Sequence, residues 1–197
     1  AISYDNAIVY CYSQSCINSK VYGMSFVYGY VWVDFNAHVF GNTNVDGNAE
    51  VYGNAIIYDN AEVYGNAHIC GKAQVFGNAQ ICGNVIVFDD AIIYDNAKVY
   101  GNAHICNNAK VYDNAKVSSR AIVCGKAQVY GNAVVYGDTI VCGSAKIYGN
   151  AVVCDDAEVY DNAVVHGEAQ VYGHALVYGN MEIYGNTWVY GDAEVYD

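Results

Sequence analysis

The chain has no proline, and lysine and arginine together number 8 against 20 aspartates and glutamates. The first absence suits a backbone whose N–H groups are committed to neighbouring strands, since proline removes a donor and is kept out of sheet interiors. The second leaves a net charge of −12. With no basic stripe to neutralise phosphates, nucleic acid is not an expected partner, and anionic membrane surfaces are disfavoured for the same reason. No apolar run approaches the roughly 20 residues of a membrane-spanning helix, so membrane insertion is not expected. Also missing are a linker, a charge run and a low-complexity break, which reads as one continuous domain over residues 1–197.

What is present is a frame. All 20 glycines fall at the same place in a six-residue cycle that runs from Ala1 to Asp197 without insertion or deletion. In the unit that starts at Ala49, Val51 stands at position three, Tyr52 at four, Gly53 at five and Asn54 at six. Position one is nearly always Ala, and position three is Val or Ile except at Ser3 and Ser15. Positions five and six are dominated by Gly, Asp and Asn, which tolerate positive φ, so both predict a tight corner. Positions one to four predict a short strand with one and three inward and two and four outward. A corner in every six residues describes a β-solenoid in which each unit supplies one flat side of a coil.

The motif Ala-x-Val-Tyr-Gly-Asn resembles the hexapeptide repeat of left-handed parallel β-helix proteins, the repeat family that includes bacterial hexapeptide acyltransferases. The resemblance covers the whole chain. It implies an all-β fold with three hexapeptides per triangular coil and left-handed winding, hence about eleven coils and a rod roughly 50 Å long. One coil cannot stand alone: three inward aliphatic side chains contribute a few kcal/mol, while ordering costs about 1.5 kcal/mol per residue. Stability must come from stacking.

Residues 37–197 form the regular array, and residues 1–36 are degenerate. Ala1 opens in frame and Asp197 stops at position five, with no polar cap at either end, so the expectation is a piece of a longer array or coils that stack end to end. In the degenerate part Tyr12, Ile17, Tyr30 and Phe35 occupy corner positions and Phe26 and Trp32 outward ones. These predict an exposed apolar patch, read either as a docking surface or as a modified cap.

Sorting outward positions by 18 residues yields columns. Tyr4, Tyr22, Phe40, Tyr58, Phe76, Tyr94, Tyr112, Tyr130, Tyr148, His166 and Tyr184 make an aromatic ladder on the first face. Asn42, Asn60, Asn78, Asn96, Asn114, Asn132 and Asn150 follow it at the adjoining corner. Such ladders stabilise the rod, and a flat aromatic face also offers a surface for a second copy or another protein.

Two clusters suggest metal chemistry. On the third face Cys106, Cys124 and Cys142 fall in successive coils, with His104 two residues before Cys106, a conceivable thiolate and imidazole site for zinc. At a corner of the second face Asp138, Asp156, His174 and Asp192 follow one another and could hold a cation. Neither forms a recognised metal motif, and the bland readings are free thiols and a solvated corner, so no cofactor is expected. Free thiols fit a reducing compartment better than an oxidising one.

The resemblance also implies enzymatic alternatives: acyltransferases that use acyl-coenzyme A as trimers with a catalytic histidine near a subunit interface, or zinc carbonic anhydrases with three histidine ligands. Loops that would interrupt the coils are missing, and His38, His68, His104, His166 and His174 all sit at ordinary repeat positions. No pocket is foreseeable on an unbroken prism. Ice binding is a lesser alternative, since paired threonine columns are absent. The expectation is therefore a non-enzymatic structural or interaction protein: a rigid rod in a fibre, appendage, phage component or scaffold, assembling through open coil ends and aromatic faces.

Overall fold

The computed structural model describes residues 19–197 in full and, before them, only the strands Ile2–Ser3, Ile8–Cys11 and Gln14–Ser15. Among the described residues there is no helix, and three parallel sheets of eleven strands each run the length of the molecule. Every strand pairs with the strand 18 residues away in sequence, as Ile56 does with Gln74 and His68 with Ile86. One coil is therefore three strands and three corners.

The interior follows from the frame. The position-one alanines from Ala37 to Ala175 and the position-three Val or Ile residues from Val39 to Val177 are fully buried and form one continuous cluster. Between coils, the N–H groups of even positions donate to odd-position carbonyls of the following coil, as Tyr22 N–H does to the Val39 carbonyl at 3.0 Å. A proline at an even position would break this ladder.

The corner differs from expectation in two ways. Only position five takes positive φ; all 29 such residues from Gly23 to Gly191 do so, whether Gly, Asp, Asn, Ser or Phe. Position six does not, and its asparagines serve instead as amide ladders: six successive side-chain bonds of 3.1–3.4 Å link Asn42 through Asn150, and three of 2.8 Å link Asn48 through Asn102. The strands are also shorter than four residues in most units, because the position-one N–H turns back to the position-four carbonyl, as Ala37 does to Asp34 at 3.2 Å. Position one thus closes the corner rather than opening the strand.

The corner aspartates have their own use. Asp113 and Asp155 accept hydrogen bonds from the backbone N–H of Gly131 and Gly173 in the following coil, at 3.0 and 3.1 Å. A carboxylate held over an otherwise unbonded corner N–H compensates for the left-handed backbone that Asp must adopt there.

Candidate functional site

The rings of the first face stack as the sequence suggests. From Tyr22 to Tyr184 ten rings follow one another with centroids 4.6–5.9 Å apart, His166 among them. Burial, then neighbouring hydroxyls, push Tyr112 up to about 12, so the ladder is neutral at physiological pH. Tyr4, Tyr12 and Ile17 lie outside the described residues. Phe26, Tyr30, Trp32 and Phe35 are exposed, but they do not share one face: Phe26 belongs to the second sheet and Trp32 to the third, with Tyr30 on the corner between.

Among the described residues no three His, Cys, Asp or Glu side chains converge as metal ligands. Arg120 forms a two-pronged ion pair with Asp138, and His174 stands 3.7 Å from Asp156, so the acidic corner is neutralised in pairs rather than gathered on a cation. Asp192 lies one coil beyond His174 at the same corner. His104 has Ile86 and Ile122 as its register neighbours, and Cys106 and Cys124 lie along their own column, so the expected zinc set does not close.

A groove of about 210 Å³, lined by Trp32, Asp34, Phe35, Glu50 and Tyr52, lies on the third face. It corrects the expectation that an unbroken prism offers no pocket. Its lining is mostly apolar, whereas the larger groove over Asn78, Asn96, Asn114 and Asn132 is a polar channel along the corner amides. Frame irregularity makes the difference: Trp32 occupies an outward strand position, and Phe35 stands where most coils carry glycine. Phe35 has φ of 56°, a conformation bulky side chains rarely adopt, and its N–H donates to the Asp34 carboxylate at 2.6 Å. Backbone held in this way at a bulky residue concentrates at functional sites.

Beside the groove lies an acid–base pair. Glu50 is in register with Trp32 on one side and His68 on the other, and its carboxylate is 3.1 Å from His68 Nδ1. A carboxylate on Nδ1 fixes the imidazole with Nε2 free to accept a proton. His68 and Glu50 are each about two-fifths exposed, so the base is accessible. Tyr52 is pushed up to about 12, chiefly by its hydrogen bond with Cys70, then by burial, with Glu50 contributing, and stays a protonated hydroxyl. His166 also meets a carboxylate, Glu182, at 2.8 Å, but its ring is covered by Tyr148 and Tyr184.

The sequence reading passed over this pair although a signal existed. Sorting position two by 18 places Trp32, Glu50 and His68 in succession. Only the position-four and corner columns had been sorted for chemistry.

Similarity to known proteins bears on the same point. A family model for the YdcK beta solenoid repeat matches residues 79–95, 127–143 and 169–181. No curated protein matches the chain. Among solved structures, a UDP-N-acetylglucosamine acyltransferase from Arabidopsis is similar over 93% of this chain and 71% of its own, with a TM-score of 0.62 at 13% identity. The chain is a hexapeptide-repeat left-handed β-helix protein. Also similar to this β-helix are LpxA from Acinetobacter baumannii, at 13% identity over 94% of this chain and 72% of that one with a TM-score of 0.41, and a UDP-N-acetylglucosamine acyltransferase from Campylobacter jejuni, at 14% over 87% and 67% with a TM-score of 0.36.

The comparison overturns the expected non-enzymatic role in a fibre, appendage, phage component or scaffold. The coil whose regularity suggested that role is shared with an acyltransferase, so an unbroken frame gives no ground for excluding catalysis. Of the two readings, the acyltransferase alternative is the better supported.

Proposed function

We propose that this hexapeptide-repeat β-helix transfers an acyl group from a thioester to a hydroxyl or amine, with His68 as the base. The observation that carries the reading is the Glu50–His68 pair beside the Trp32–Phe35 groove. Likeness of fold to an acyltransferase supports the choice of reaction class.

In this mechanism Nε2 of His68 removes the proton of the acceptor group as that group attacks the thioester carbonyl. Glu50 keeps the proton on Nδ1 and stabilises the imidazolium that forms. The tetrahedral adduct then expels the thiolate, which takes the proton back from His68, leaving an ester or amide and a free thiol. Trp32, Phe35 and Tyr52 supply apolar surface for the acyl chain.

The test is an assay with acyl-coenzyme A and sugar-nucleotide acceptors, UDP-N-acetylglucosamine among them, following release of free thiol and acylated product. His68→Gln is expected to lower turnover by about 10²–10⁴-fold, the usual contribution of a positioned base, with circular dichroism unchanged. No acylated product from any acceptor, or undiminished turnover in His68→Gln, would remove the proposal.

A further inference from the structure

The third face holds a feature that acyl transfer does not use. Cys106, Cys124 and Cys142 stand at position four of three successive coils, in register through Ile105, Val123 and Val141. Phe88 precedes the run and Tyr160 follows it. The thiols are hydrogen-bonded to one another along the column, and Cys106 is buried. Each of the other described cysteines stands alone: Cys70, Cys82 and Cys154 have aromatic residues above and below in their columns.

A column offers each thiol two like neighbours in a line and nothing at right angles. Tetrahedral ions are therefore poorly served, in keeping with the lack of any converging set of three ligands. A two-coordinate ion needs only a straight S–metal–S bridge. Two metal–sulfur bonds of about 2.3 Å span about 4.6 Å, and stacked strands lie about 4.7–4.9 Å apart. On this same face the Tyr160 and Tyr178 rings, stacked at position four of successive coils, are 4.9 Å apart.

We infer that Cys106, Cys124 and Cys142 form a linear thiolate track for a soft monovalent cation, Cu(I). Thiolate is the ligand that selects such ions. The first ion bridges two cysteines and displaces two protons. A second shares Cys124 and displaces one more, so three thiolates and two Cu(I) carry a net charge of −1. Asp89 beside Cys106, and Glu158 and Asp161 beside Cys142, add negative charge at both ends of the track. Burial pushes all three thiols up, so at neutral pH binding releases protons and tightens as pH rises.

The experiment is anaerobic titration of the whole chain with Cu(I) against bicinchoninate, a competitor that strips copper from single thiols. Tyrosine is the residue this column carries elsewhere, so Cys→Tyr variants suit the fold. Wild-type protein is expected to hold two more equivalents than Cys124→Tyr, and one more than Cys106→Tyr or Cys142→Tyr. Cys154→Tyr is expected to match wild type. Copper-edge X-ray absorption should read two sulfur neighbours and no nitrogen. Equal copper in wild type and Cys124→Tyr, equal losses in Cys124→Tyr and Cys154→Tyr, or a three- or four-coordinate copper would each overturn the assignment.

Discussion

Replacing Val123 by aspartate is expected to abolish cooperative folding of the central coils. Val123 is fully buried, in register with Ile105 and Val141, and belongs to the continuous aliphatic interior. A carboxylate there has no partner. Leaving a charge buried and uncompensated costs about 3–5 kcal/mol after relaxation, a large share of the 5–15 kcal/mol that holds a typical protein folded. In a solenoid each coil contacts only its neighbours, so the damage is not shared along the rod but divides it. Chemical denaturation followed by circular dichroism should show one transition in the wild type and an early, broadened one in the variant. The sign of the pH effect is fixed by burial: the aspartate's folded pKa is raised, so the folded state binds more protons than the unfolded chain. Destabilisation is then smallest below the ordinary carboxylate range and grows as pH rises through it. A Val123→Asp protein with wild-type stability at neutral pH would mean that the interior is not closed as described.

A second large effect is expected at Gly137, with Gly191 as its control. Both have positive φ, but Gly137 lies at 88°, beyond the 56–62° adopted by the non-glycine corners. A Cβ at Gly137 would stand 2.5 Å from the Asp155 carbonyl oxygen and 2.6 Å from its nitrogen, whereas one at Gly191 would meet nothing within 4 Å. Gly191→Ala should therefore cost about 1 kcal/mol, the ordinary penalty of a left-handed alanine. Gly137→Ala adds a clash with backbone that cannot swing away, and a loss of about 3 kcal/mol or more is expected. The difference in urea midpoint between the two variants measures it. Equal losses would show that the coil spacing at this corner yields easily.

These two sites also mark what the sequence made legible and what it did not. Val123 and Gly137 could be placed from the frame alone, because a period of six leaves one inward register and one corner position. Position six was misread for a physical reason: asparagine is favoured both by positive φ and by amide stacking, and composition does not separate the two. The site was harder. Glu50 and His68 are 18 residues apart, so their contact exists only once the coil length is known. Trp32 and Phe35 stood out as irregular, but irregularity was taken as a docking patch rather than as the wall of a groove. The larger error was to treat regularity as evidence against catalysis, when regular coils fix side chains at known spacing as well as any scaffold does.

The measurement that bears most directly on this account is turnover compared between His68→Gln and His166→Gln under the same acyl-transfer conditions. Both histidines touch a glutamate, but only His68 lies beside the apolar groove with its second nitrogen uncovered. The account predicts activity lost in His68→Gln and kept in His166→Gln. Activity kept in the first and lost in the second would contradict it and move the chemistry to the aromatic face.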